Sequence, residues 1–309
     1  MIKNLLKKQF KKLANLIGDE ISVRTKEIEE NRLIALGTIL SNQQWSLSSS
    51  NINDYEFKIF SQYGDDGIIQ YLIKHLKIIN QTFIEFGVED FSESNSRFLM
   101  MNNNWSGFIM DGSAKHMNNL KKQHWYWKYN LKHKVAFIDQ DNINTLLSDI
   151  GFNEVGLFHI DLDGNDYFIL KALDFSKLNP AILILEYNSV FGNERAISVP
   201  YDKNFIRTNA HYSNLFFGAS LPALHHVATE KGYALIGCAL NGHNAYYVRR
   251  DLLNEKIQEK SLADSYVESN FREGRDEKYN LSYLSGGERL KAIKGLTVYN
   301  VITQELEEL

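Results

Sequence analysis

Acidic side chains close every short apolar run in the middle of this chain. Glu85 and Gly87 end TFIEFGV (82–88), Asp111 and Gly112 end SGFIMD (106–111), and Asp139 with Gln140 ends KVAFID (134–139). His159, Asp161 and Asp163 end VGLFHIDL (155–162), and Glu186 and Asn188 end AILILEY (181–187). If these runs are strands of an open α/β sheet, a ligand lies outside their carboxyl ends and these side chains face it. Asp111 follows Gly87 at the spacing, roughly 20 to 30 residues, at which an acid takes the ribose hydroxyls of an adenosine. A dinucleotide needs three glycines as G-x-G-x-x-G to hold its pyrophosphate on backbone N–H groups, and that motif is missing. Gly87 is followed by Val88, Glu89 and Asp90, acids that repel phosphate and favour a cation or an amine. S-adenosylmethionine, with its sulfonium and α-amino group, fits such a turn. A single acid of this kind, Asp139 or Asp141 above all, could instead cap the following helix.

The elements that must position these groups alternate. Between the strand candidates lie helical patterns at 65–77, 94–103, 114–124, 141–150 and 165–173. GASLPALHHVATEKG follows, with Gly232 as its expected C-cap, and then strands at 234–240 and 244–250 around Asn241, Gly242 and His243, which read as a hairpin. Runs apolar throughout suit a sheet covered on both faces. Five βα units, a helix and a terminal antiparallel hairpin give the Rossmann-like, seven-stranded sheet of the class I methyltransferase fold. The expected domains are a helical extension and linker at 1–54, the main domain at 55–250 and a mainly helical C-terminal extension at 251–309.

The segments SQYGDDGIIQYLI, FIEFGVED, WSGFIMDGS, LFHIDLDGNDYFILKAL and LILEYN resemble the FkbM-like group of S-adenosylmethionine-dependent O-methyltransferases, over about residues 57–250. The resemblance implies O-methylation of a sugar or other small polar acceptor in bacterial surface-polysaccharide biosynthesis. It places Glu85 and Gly87 in the glycine-rich first motif, Asp111 on the ribose, Asp139 beside the adenine, and Gln62 and Gly64 near the amino-acid end of the cofactor. Glu89, Asn95, Gly112, Gln140 and Asp161 complete the expected cofactor set. Phe91 stands where the family's first motif has a second glycine.

IDLDGND admits three readings. Asp161 could orient a substrate hydroxyl, or join Asp163, Glu186 and Asn188 as oxygen ligands for Mg²⁺ or Ca²⁺. As a D-x-D motif it could hold the metal and diphosphate of a nucleotide-sugar, which would make a glycosyltransferase. Asp163-Gly164-Asn165 could also be only a turn into the next helix. Residues 189–217 form an insert too long for a simple connection, expected to cover the site with Arg195, Tyr201, Asp202, Arg207, His211 and Tyr212. His211 is the expected general base, with His159 and His243 competing, because imidazole titrates near neutrality. A non-catalytic scaffold that keeps this fold is the third class.

Composition narrows the partners. The 309 residues, 44% hydrophobic, can build one large core with appendages. A net charge of −4 without a basic stripe argues against nucleic acid. The single cysteine, Cys238, excludes an intrachain disulfide and reads as a small buried residue. No run reaches the roughly 18 apolar residues of a membrane span, and no signal peptide is recognisable, so a cytoplasmic location is expected. Residues 1–17 form a lysine-rich amphipathic pattern, suited to a second protomer in a homo-oligomer or to peripheral contact with an anionic membrane. LSGGERLKAI (284–293) imitates the signature of an ABC-type ATPase, but without a phosphate loop it reads as a turn into a helix.

Overall fold

The structure, a computed structural model, describes residues 2–309; the side chains of 1–10, 13–17, 19 and 22 lie outside that description. Helix α1 (Ile2–Gln43) precedes α2 (Asp65–His75), β1 (Thr82–Phe86), α3 (Arg97–Asn103), β2 (Ser106–Asp111) and α4 (Ala114–Lys121). Then come β3 (Leu131–Val135), α5 (Ile143–Ser148), β4 (Leu157–Ile160), α6 (Asp166–Ala172) and β5 (Ile182–Glu186). The insert contributes β6 (Ile197–Ser198) and α7 (Arg207–Ala210), followed by α8 (Leu221–Glu230), β7 (Tyr233–Cys238) and β8 (Asn244–Arg249). The C-terminal segment holds α9 (Leu262–Ser265), α10 (Gly287–Ala292), β9 (Thr297–Asn300) and β10 (Glu305–Glu308).

Seven strands form one sheet in the order β3-β2-β1-β4-β5-β8-β7. β1 to β5 are parallel, and β8 runs antiparallel to both β5 and β7. Alternation along the strands sends side chains to two cores. Ile84, Phe86, Phe158, Leu183 and Leu185 pack with residues of α5, α6 and α8 on one face. Phe83, Ile109, Leu157, Ile182 and Ile184 pack with residues of α2, α3 and α4 on the other. Strand order reverses between β1 and β4, which opens the crevice where such sheets bind ligands. Gly87, at φ +69°, lies on this crevice; a Cβ there would come within 1.7 Å of the Asp161 carbonyl oxygen, so only glycine permits the two strand ends to approach so closely.

Several expectations are corrected. The run 134–139 is not the strand: pairing with β2 selects 131–135, and Phe137 is left 54% exposed in the loop beyond. This is an edge strand with one neighbour, so register with β2 outweighs the local apolar run. The helix expected from 94 begins at Arg97, because Ser94 and Asn95 serve Glu85 instead. Residues 41–54 do not form a free linker: Gln44 is buried and donates from Nε2 to the Tyr55 and Gly67 carbonyls, and Ile52 and Tyr55 are core residues. The C-terminal 251–309 is not mainly helical. Its β9 and β10 build a three-stranded antiparallel sheet with β6 of the insert, around Ile197, Ile293 and Val298. The alternating TVYN run supplies a strand that the insert completes, a pairing over about a hundred residues with no local signal. Gly286 at φ +50° does turn the chain into α10, so the ATPase-like segment is a turn and helix.

The Lys3, Lys7 and Lys8 side chains on which the membrane and oligomer expectations rest lie outside the described residues. Further along, α1 docks on the body: Glu30 and Arg97 form a buried ion pair at 2.8 Å, and Thr38 donates to Asn102 Oδ1. No described helix is long and apolar enough to cross a membrane.

Candidate functional site

Two cavities meet at the β1–β4 crevice and share Gly87, Glu89, Asp161 and Asp163. The smaller, about 290 Å³, is lined by Asp111, Gly112, Ile138 and Phe205 among others. The larger, about 500 Å³, extends toward β5 and β8 and is lined by Gln62, Glu85, Asn95, His159, Glu186 and His243 among others.

The turn after β1 is built around Glu85. Its buried carboxylate accepts from Ser94 Oγ (2.7 Å), the backbone N–H groups of Asn95 (3.0 Å) and Ser96 (3.2 Å), and Ser96 Oγ. His159 Nδ1 lies 3.1 Å from Glu85 Oε1, while its Nε2 lies 3.4 Å from Asn95 Nδ2. Burial works against both charges, but the pairing prevails and holds the Glu85 carboxyl below, and the His159 imidazole above, their ordinary ranges. Glu85, Asn95 and His159 thus form one polar unit that shapes the cleft.

Asp111 ends β2 with its two oxygens lightly used. Oδ2 accepts from the Glu89 N–H (2.9 Å) and Oδ1 from the Ser113 N–H (2.7 Å). A carboxylate has about four acceptor sites, so capacity for two further donors remains. Phe91 keeps a left-handed backbone, φ +65°, and buries its ring beside Phe83 and Trp125.

Not every sequence candidate reaches the cavities. Asp139 accepts from the N–H groups of Asp141 (2.9 Å) and Asn142 (2.8 Å) and pairs with Lys203 (3.2 Å), so it caps the turn before α5, and neither it nor Gln140 lines a cavity. Ile138 and Phe137 take that wall instead. Gly64 is the N-cap of α2, packed against Glu56. His211 also stays outside both linings; its Nδ1 bonds within its own turn to Ser213 Oγ (2.8 Å) and N–H. Asn188 faces the cleft but its amide is committed: Nδ2 donates to the Leu215 and Phe217 carbonyls and Oδ1 accepts from the Val190 N–H. One lone pair of Oδ1 remains after the Val190 N–H is served.

Asp161, Asp163 and Glu186 do converge, each offering an oxygen within 4.8 Å of the others. Burial first, then the neighbouring Asp163 charge, raises the Asp161 carboxyl to about 7. Burial and the Asp161 charge push Glu186 up as well. Asp163 is drawn off by Arg207, whose guanidinium bridges it (2.7 Å) to Glu273 (2.8 Å) while lying 3.6 Å over the Phe217 ring. A cation here would share Asp163 with a guanidinium and would need water or a ligand to complete six or more oxygens.

Sequence reasoning missed one wall entirely. Ser269, Phe271, Arg272 and Glu273 of the C-terminal segment line the cleft, with Phe271 stacked on Tyr63 at 5.0 Å. Buried Arg289 of α10 pins this wall by donating to Ser269 Oγ and Glu268 Oε1. No periodicity marks 266–275; the mixture of aromatic and charged residues in NFREGR was the sole available signal.

No family model matches this chain, and no curated protein matches it. Among solved structures it is similar to M. capricolum TrmK in complex with S-adenosyl-homocysteine, at 12% identity over 65% of this chain and 77% of that one, TM-score 0.35. It is also similar to an S-adenosylmethionine-dependent methyltransferase from Clostridium acetobutylicum, at 10% identity, 60% and 89% coverage, TM-score 0.38. The CMeT domain of the citrinin polyketide synthase is similar at 14% identity, 62% and 55% coverage, TM-score 0.40. By its own strand order, with an antiparallel β8 placed between β5 and β7, the chain has the seven-stranded fold of class I methyltransferases.

Proposed function

We propose that the protein transfers a methyl group from S-adenosylmethionine to a hydroxyl of a sugar or another small polar acceptor. The observation that carries this reading is the pair of cavities joined at the β1–β4 crevice, one holding a ribose-type acid and the other lined by acids and aromatic rings. Asp111 has acceptor capacity for two hydroxyls, Ile138 and Phe137 give an apolar wall for a base, and Glu89 and Asp161 suit a cationic centre. When bound, the cofactor supplies an electrophilic methyl carbon. The protein must then align the acceptor hydroxyl and remove its proton. Asp161 lines both cavities, and a carboxyl raised to about 7 is well placed to accept a proton near neutrality. His159 is held by Glu85 and Asn95 and serves to shape the cleft.

The Arg207 guanidinium on Asp163 disfavours a divalent cation beside it, which supports metal-independent transfer. The same pairing weakens the glycosyltransferase reading, which needs the D-x-D acids for a metal and diphosphate. The left-handed turn retained at Phe91 weakens the scaffold reading. The surface-glycan setting comes from the family resemblance. Calorimetry tests the proposal: S-adenosylhomocysteine should bind, and at 100 times its Kd stabilise the protein by about 2.7 kcal/mol. Binding of a UDP-sugar with Mn²⁺, and not of S-adenosylhomocysteine, would replace it with a glycosyltransferase.

A further inference from the structure

Outside both cavities, one buried ion pair reaches the turn that forms their shared wall. Arg97, the first residue of α3, is 3% exposed, and Glu30 of α1 is 7% exposed. Arg97 Nη2 donates to Glu30 Oε1 (2.8 Å) and Nη1 donates to the Ser92 carbonyl (3.1 Å). The guanidinium also lies over two rings, 4.1 Å from the centre of Phe60 and 4.9 Å from that of Trp125. A planar fork placed in this way has one orientation, so the group that fixes it from α1 also fixes what it offers to Ser92.

Ser92 belongs to a strained turn. Between Gly87 and Ser96 the backbone enters the left-handed region at Gly87 (φ +69°), Glu89 (φ +48°) and Phe91 (φ +65°), and the last two are not glycine. Such a turn keeps its shape only where its surroundings over-determine it. Glu85 holds one end through the N–H groups of Asn95 and Ser96, and Asp111 accepts from the Glu89 N–H (2.9 Å) in the middle. Ser92, exposed on the outside, is held from beyond the turn by Arg97. The same turn lines both cavities through Gly87 and Glu89, whereas no described residue of α1 lines either.

We infer that Arg97 is a positioning residue that couples α1 to the cofactor. With α1 docked, Glu30 sets Arg97, Arg97 sets the Ser92 carbonyl, and the turn holds Glu89 against Asp111. The inference rests on the methyltransferase reading, with the cofactor in the smaller cavity. Coupling of two binding events is reciprocal, so the cofactor in turn tightens the docking of α1. Whatever takes up the outer side of that helix then acts on cofactor affinity, which makes the N-terminal extension a regulatory part of the site.

Hydrogen–deuterium exchange of the full wild-type chain, with and without saturating S-adenosylhomocysteine, tests the coupling. Binding should slow exchange in residues 24–43 of α1, remote from both cavities, as well as in 87–96. Calorimetry on variants gives the second readout. Glu30→Ala should weaken S-adenosylhomocysteine binding about fivefold or more, and Glu30→Gln, which keeps an oxygen for Arg97, should restore most of it. Arg97→Lys should lose affinity as Glu30→Ala does, because an ammonium keeps the charge but not the fork that reaches both Glu30 and Ser92. A pair that only stabilises the fold would lower the melting temperature and leave the affinity of the folded protein within about twofold. That result, or unchanged exchange in α1 on binding, overturns the inference, and the wild-type comparison decides even if a variant does not fold. Should the wild type bind no S-adenosylhomocysteine, the methyltransferase reading fails. Exchange without ligand then decides the tie itself: faster exchange of 87–96 in Glu30→Ala than in the wild type supports it, and equal exchange overturns it.

Discussion

Asp111 lines the smaller cavity, whereas Phe91 is buried in the core. Asp111 keeps free acceptor capacity facing the smaller cavity, so Asp111→Ala should weaken S-adenosylhomocysteine binding by about tenfold or more, measured by calorimetry. Phe91 keeps the left-handed turn and fills the core. Phe91→Gly should therefore cost about 3–5 kcal/mol in denaturant unfolding while leaving that affinity nearly unchanged. Asp161 carries the pH prediction. Burial and Asp163 raise its carboxyl to about 7, and a base must be ionised, so turnover should fall as pH drops through about 7 and level off above it. Asp161→Asn should remove that limb along with most of the activity. The sign for stability is opposite, because a raised carboxyl favours the protonated fold, and this residue should destabilise the protein progressively as pH rises from about 4 to 7.

At the level of elements, the insert and the C-terminal segment act as one cover. Phe205 lies over Gly164 beside the smaller cavity, Lys203 reaches Asp139, and Arg207 ties the turn after β4 to Glu273. Arg207→Ala releases both segments from Asp163 and also leaves the Phe217 face open. The expected result is a KM for the acceptor raised about tenfold, with S-adenosylhomocysteine affinity little changed, measured by steady-state kinetics and calorimetry side by side. Activity should persist in EDTA, since the Arg207 guanidinium beside Asp163 disfavours a divalent cation; loss in EDTA and recovery with Mg²⁺ would return Asp161, Asp163 and Glu186 to a metal site.

For the molecule as a whole, α1 presents two sides. Glu30, Thr38 and Ser41 hold one side to α2 and α3, while Ile21, Ile28, Leu36 and Ile39 are exposed along the other at helical spacing. We propose that this stripe pairs with a second copy. Triple replacement of Ile21, Ile28 and Ile39 by Lys leaves the docked side intact and should give a monomer by light scattering. An unchanged mass, together with loss of binding to anionic vesicles on deleting residues 1–17, would support membrane attachment instead.

The sequence by itself determined the sheet, apart from the bounds of β3, and where the candidate site would be sought. Apolar runs of six to eight residues, each ending in an acid and followed by a helical pattern, define βα units, and Gly87, Asp111 and Asp161 fall at their carboxyl ends, on the two cavities. These are local signals, set by side-chain alternation and strand length. What each acid does was decided only in three dimensions. Asp111, Asp139 and Asp161 look alike along the chain, yet one keeps open lone pairs, one caps its own turn, and one is half-buried beside like charges. Likewise His211 and His159 are equal candidates on composition, but the first bonds within its turn and the second is clamped by Glu85. The pairing of β6 with β9 and the placing of Ser269 to Glu273 on the cleft had no local signature, because they arise from contacts between segments distant in sequence. Hydrogen-bond partners and burial are properties of that assembly, and they fix which carboxylates stay free to do chemistry.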